Sequence, residues 1–154
     1  MKRSKWIILV VLLVAASFIA GVKAAEGERR VIKNISEATT YVNPPKNARV
    51  TLLLEASEFD APNASVSVSE FLPGAGVPKH AHADGDEILY LLSGKGTCII
   101  EGKNYEVKKG DVLHLKKERE HSFKVTGKEP VKVVQIYAPG GPEQRFKKWD
   151  KEKK

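Results

Sequence analysis

Beyond residue 48 the chain alternates between apolar and polar positions in short runs, and no window of about a dozen residues repeats with a helical period. The runs that fit strands are Arg49 to Ala56, Ala64 to Leu72, Glu87 to Leu92, Gly96 to Glu101, Asn104 to Val107, Asp111 to Leu115, Ser122 to Val125 and Val131 to Tyr137. Between them lie Ser93-Gly94-Lys95-Gly96, Glu101-Gly102-Lys103-Asn104, Lys109-Gly110-Asp111 and Thr126-Gly127-Lys128, which are short, polar and glycine-containing as hairpin turns require. Alternation is cleanest in Ala64-Ser65-Val66-Ser67-Val68-Ser69. It predicts a strand with its apolar side chains on a buried face and the other face toward water. The predicted fold class is all-β, a small antiparallel barrel or sandwich.

The two ends differ from this body. Lys2, Arg3 and Lys5 precede an uncharged, mostly apolar run from Trp6 to Val22, and Val22-Lys23-Ala24 follows it, which is the layout of an export signal cleaved after Ala24. An uncleaved membrane anchor is the alternative, because the run just reaches the lower limit for spanning a bilayer. Either reading places the folded part outside the cytoplasm, periplasmic or secreted, and membrane contact is expected only if the segment stays attached. Residues 25–47, with Asn43-Pro44-Pro45 and a possible short strand at Arg30 to Ile35, form an arm leading to the barrel over 48–139. Ala138-Pro139-Gly140-Gly141-Pro142 stops the last strand, and 140–154 is expected as a basic, solvated C-terminal tail, loosely helical or without fixed structure, carrying nothing catalytic.

Charge narrows the partners. The whole chain carries +7, but four of its basic residues and no acidic one fall within the first 24, and residues 145–154 add six basic against two acidic. Residues 25–144 then hold 16 basic and 17 acidic residues, so the folded body is nearly neutral. A nucleic-acid reader concentrates Lys and Arg on the body of its fold, so no nucleic-acid partner is expected. Cys98 is the only cysteine, which excludes an internal disulfide. It is expected as a small buried apolar side chain, with a cavity-facing position as the alternative.

All four histidines fall between residues 80 and 121. His80 and His82, two apart at the start of a strand-like region, would turn both imidazoles to one face. Glu87 follows after Ala83-Asp84-Gly85-Asp86, a sequence suited to a tight reversal that brings its carboxylate back beside them. His121 could supply a fourth ligand from a facing strand. His114, amid Val112, Leu113 and Leu115, is read as a packed or surface histidine. Gln135 and Tyr137 share one parity of the last strand and are read as core packing or a rim hydrogen bond, with ligand contact as the alternative if that face looks inward.

The order of these residues resembles the cupin superfamily, and in particular its compact single-domain microbial members. The family's first motif is Gly, five residues, His-x-His, three or four residues, Glu, six residues, Gly, and Gly74, His80, His82, Glu87 and Gly94 match every position. Its second motif is Gly, five residues, Pro-x-Gly, two residues, His, three residues, Asn. Here those positions are Gly110, Lys116, Glu118, His121 and Val125, so the first glycine and the histidine stand while the proline, second glycine and asparagine do not. Fifteen residues, Lys95 to Lys109, separate the motifs.

The resemblance implies a jelly-roll β-barrel holding one divalent transition metal on His80, His82, Glu87 and His121. Imidazole and carboxylate donors without thiolate suit Mn, Fe, Co, Ni, Zn or Cu. It further implies an enzyme acting on a small oxygenated molecule, of dioxygenase, decarboxylase, lyase or sugar isomerase type, with a non-catalytic metal-dependent binder or sensor as the alternative. Relatives commonly pair through N-terminal strands, so a homodimer through the arm is expected.

Overall fold

The structure, a computed structural model, describes residues 32–55, 58 and 63–153. The export segment lies outside the described residues, as do Arg30 and Val31 of the run read as a possible strand. Where that run is described it holds no strand, and a 3₁₀-turn at Ile35–Glu37 follows, capped by the Asn34 side chain.

Eleven strands follow: β1 (Thr39–Val42), β2 (Ala48–Leu54), β3 (Ser65–Phe71), β4 (Gly76–His80), β5 (Asp86–Ser93), β6 (Lys95–Ile100), β7 (Lys103–Lys108), β8 (Val112–Leu115), β9 (His121–Val125), β10 (Val131–Ala138) and β11 (Asp150–Lys151). They form a seven-stranded sheet in the order β11-β1-β2-β3-β10-β5-β8 and a four-stranded sheet in the order β4-β9-β6-β7. Every pairing is antiparallel. The sheets pack face to face, because one apolar cluster draws Leu91, Leu113, Leu115, Val131 and Val133 from the first and Cys98, Val107 and Val125 from the second. The fold is the all-β jelly roll expected, built as two sheets rather than one closed ladder.

All eight predicted runs are strands, and three more were not predicted. β4 carries Pro78, which argues against a central strand, but β4 is the edge of its sheet and its register shifts between Val77 and His80, where a missing donor costs little. His80 therefore ends a strand instead of beginning one, and His82 lies in the loop beyond.

The alternating run of β3 is a strand with the opposite polarity to the one expected. Ser65, Ser67 and Ser69 face inward at 1%, 2% and 0% exposure, while Val66 and Val68 are half-buried on the outer face. Hydroxyls are tolerated inside when buried partners use them, and the cross-strand register Gln135↔Ser67 supplies such a partner.

The C-terminal segment also differs from the solvated tail expected. Pro142–Lys148 forms a 3₁₀-helix that inserts Phe146 into a second apolar cluster with Val50, Leu52 and Tyr137, flanked by Tyr41 and Trp149. Burying that ring contributes roughly 2 to 3 kcal/mol. Lys147 pairs with Glu55, Gln144 Nε2 donates to Glu55 Oε2 at 3.2 Å, and β11 then pairs with β1. This segment covers one end of the space between the sheets.

Candidate metal centre

Three elements bring the four predicted ligands together. β4 ends at His80, directly opposite His121 at the start of β9. The loop after His82 turns at Gly85, where an added Cβ would stand 2.8 Å from the Ala138 carbonyl oxygen, and delivers Glu87 as the second residue of β5. One ligand atom from each of His80, His82, Glu87 and His121 lies within 4.8 Å of the others. Glu87 and His121 are 3% and 5% exposed.

The turn before His121 forms without the family's proline and second glycine. Glu118, at that glycine's position, has φ 64°, the left-handed region in which a side chain costs roughly 1 to 2 kcal/mol. Its N–H donates to the His82 carbonyl at 2.7 Å, tying the two histidine-bearing segments together. Val125, in place of the family's asparagine, is core.

Hydrogen bonding decides which imidazole nitrogen faces inward. The Pro78 carbonyl lies 2.8 Å from His80 Nδ1 and the Arg119 carbonyl 2.9 Å from His121 Nδ1. A carbonyl only accepts, so in each neutral ring Nδ1 carries the proton and Nε2 holds a lone pair. His121 Nε2 lies 3.1 Å from Glu87 Oε2 with no hydrogen bond of acceptable geometry, a buried polar atom without a partner. Two such atoms at that distance need a proton or a metal ion between them, and three imidazoles with one carboxylate are a donor set that fits a divalent metal.

The outer partners extend well past the four ligands. Gln135 Nε2 donates to Glu87 Oε1 and to the Tyr137 hydroxyl, while its Oε1 accepts from Ser67 and Ser69 at 3.2 and 2.8 Å. The inward serines therefore orient Gln135, and Gln135 orients Glu87. The predicted parity of Gln135 and Tyr137 faces inward, and both take part. The sequence carried no signal for the direction of the serines, because the register that sets them against Gln135 exists only in the fold.

Titration follows these contacts. Burial pushes Glu87 up, but the adjoining His121 and His82 rings and the Gln135 amide pull it further down, well below the usual carboxylate range. Burial lowers His121, yet the Glu87 carboxylate and the Arg119 carbonyl raise it above its ordinary value overall. His80 is lowered, by burial first. Burial, with the Glu87 charge, raises Tyr137 far above the phenol range.

The group opens on a cavity of about 360 Å³ between the sheets, within the range of small-molecule sites. Its walls are mostly apolar, including Phe71, Leu89, Leu113, Phe123 and Val133, and Cys98 lines it while remaining in the core. Burial and the Glu87 charge push the Cys98 thiol up to about 11. His114 is elsewhere, on the outer face, bonded to Asp86 Oδ2 at 2.7 Å.

One site residue lies where nothing was expected. Arg145, on the C-terminal 3₁₀-helix, also lines the cavity. Its Nη2 donates to the Tyr137 hydroxyl at 2.7 Å and its Nη1 lies 3.3 Å from His82 Nδ1. The only sequence signal was the apolar Phe146 and Trp149 within the basic tail, which mark a segment with something to bury.

Residues 67–137 match the family model described as a cupin domain. That match and the jelly-roll fold support membership of the cupin superfamily. Among curated proteins this cupin is 26% identical over 119 residues to the tetracenomycin polyketide synthase protein TcmJ of Streptomyces glaucescens, covering 76% of this chain and 80% of that protein. It is 33% identical over 64 residues to an oxalate-binding protein of Thermotoga maritima, covering 42% of this chain and 53% of that one. It spans 63% of an archaeal relative from Methanocaldococcus jannaschii. A Thermotoga maritima structure described as a predicted oxalate decarboxylase superposes with a TM-score of 0.61 at 24% identity, over 71% of this cupin and 99% of that chain, which bears on the fold.

Proposed function

We propose that this cupin holds one divalent transition metal, among Mn, Fe, Co, Ni, Zn and Cu, on His80, His82, Glu87 and His121, and acts as an enzyme on a small oxygenated molecule bound in the adjoining cavity. The carrying observation is the buried His121 Nε2, whose lone pair faces Glu87 Oε2 at 3.1 Å without a hydrogen-bond partner. A metal there would act as a Lewis acid toward a carbonyl or enol oxygen. The chain's own residues do the rest. The Pro78 and Arg119 carbonyls fix two imidazoles, Gln135 and the β3 serines fix the carboxylate, and the apolar walls exclude water from the bound molecule.

A second reading, a metal-dependent binder or sensor, is favoured by one feature of the cavity. Among the described residues lining it, His80, Glu87 and His121 are the only histidines and carboxylates, so proton transfer has no separate acid or base of those types. Two names among the relatives, an oxalate-binding protein and a polyketide synthase protein, support small oxygenated ligands under either reading. Turnover of an oxygenated acid or diketone by metal-loaded protein, lost in His80→Ala, selects the enzyme. Tight metal-dependent binding without turnover selects the binder.

We further propose export, resting on the charged and apolar layout of the first 24 residues, which cell fractionation tests. A homodimer is proposed as well, supported by the exposed apolar side chains Tyr90, Leu92 and Val112 on β5 and β8. A monomer by light scattering contradicts it.

A further inference from the structure

We propose that Arg145 is the carboxylate anchor of the cavity, and that the ligand is an amphipathic acid whose anionic head reaches the guanidinium while an apolar body of about one aromatic ring lies among the hydrophobic walls. The inference rests on the metal reading above and adds to it a residue and a ligand class.

The guanidinium is built into place. Its carbon stands 4.7 Å from the Phe146 ring centre and 5.4 Å from that of Tyr137, contacts that favour a cation over an aromatic face. Phe146 is buried, and Lys147 and Gln144 on either side of the Arg145–Phe146 pair are tied to Glu55, so the helix that carries Arg145 is pinned. Yet among the described residues no carboxylate lies within ion-pair distance of Arg145, although Lys33, Arg49, Lys79, Arg119, Lys132 and Lys147 all have one. A half-buried cation without a counter-ion is costly unless a ligand supplies it. Glu87 is the only carboxylate lining the cavity among the described residues, so Arg145 and a divalent ion together leave the polar end of the cavity positive.

Metal loading would sharpen this role. A guanidinium only donates, so His82 Nδ1 accepts from Arg145, and in the neutral ring Nε2 carries the proton toward Glu87 Oε2, 3.2 Å away. An ion taken up on His82 Nε2 requires the proton on Nδ1 instead. Two N–H groups would then face each other, which would leave Arg145 free of His82 to meet an anion. The planar fork suits a carboxylate.

The apolar walls set the rest of the ligand. Phe71, Leu89, Leu113, Phe123 and Val133 offer nothing to a sugar's hydroxyls, and a bare dicarboxylate would leave most of the 360 Å³ unfilled.

Calorimetric titration of phenylpyruvate, its methyl ester and oxalate into zinc-loaded protein tests the proposal. Zinc is redox-inert, so binding is read without oxidation. Metal content of each protein is measured alongside. Wild type should bind phenylpyruvate at least about tenfold more tightly than the ester or oxalate, the size of one charge-assisted hydrogen bond. Arg145→Met should weaken phenylpyruvate about tenfold to a hundredfold and leave the ester within about threefold. Arg145→Lys, which keeps charge without the fork, should fall between and serves alone if the Met variant does not fold. Phenylpyruvate affinity unchanged in either variant overturns the anchor, as does no binding to metal-loaded wild type. Oxalate binding as tightly as phenylpyruvate overturns the apolar body. Wild type that takes up no zinc overturns the metal reading instead, and the metal analysis separates that failure from the others.

Discussion

His80 and His121 are aimed by their own neighbours, whereas His82 is held by a side chain from the other end of the chain. In the first two, a carbonyl two residues earlier fixes Nδ1 and presents Nε2 as a lone pair. In His82, Arg145 takes the corresponding position at 3.3 Å and favours the other tautomer. Local backbone makes a preorganised ligand at no cost in side-chain order. A distant guanidinium makes an adjustable one, whose ring proton would sit on the other nitrogen if His82 held an ion through Nε2. Under the proposed metal reading, two fixed nitrogens stand beside one that would couple metal uptake to the cavity.

Removing a fixed ligand should have the largest effect. His121→Ala or Glu87→Gln should weaken metal binding by more than about a hundredfold, beyond the loss expected of an outer partner, as measured by competition with a chromophoric chelator. Gln135→Leu leaves all four ligands but frees Glu87 Oε1, and should cost about tenfold to a hundredfold in the same assay. Arg145→Met should move the other way, raising affinity by about threefold to tenfold, since it removes a nearby like charge and the donor that opposes His82 Nδ1–H. A loss as large as that of Gln135→Leu would break the distinction between fixed and adjustable histidines.

Smaller effects test the surroundings. Glu118→Gly should stabilise the metal-free protein by about 1 kcal/mol in urea unfolding, because the left-handed turn no longer carries a side chain. Cys98, with its thiol pushed up to about 11, stays protonated at pH 8 and should be inert to a disulfide reagent in the folded protein, reacting only on unfolding.

The fold and the four-residue group were legible because both depend on local spacing. Turn glycines bounded the strands, and the His-x-His, Glu and distant His order survived the loss of three motif residues, since Glu118 adopts the left-handed turn in place of glycine. What was not legible depends on partners far apart in sequence. The serines of β3 look like a water-facing stripe until Gln135, 66 and 68 positions away, is placed against Ser69 and Ser67. β4 was not read as a strand, and its Pro78 is tolerated because β4 lies at the edge of its sheet. Arg145 sat in a charge-rich tail whose burial depends on Phe146 finding Val50, Leu52 and Tyr137.

Elemental analysis by plasma mass spectrometry, on the protein and on a His80→Ala, His121→Ala double variant prepared in parallel, tests the central claim most directly. The account predicts about one transition-metal ion per chain, the stoichiometry of a single nitrogen and oxygen site, and its loss in the variant. No metal in either protein, even after reloading, would contradict it and leave the four residues as a polar rim on a cupin barrel.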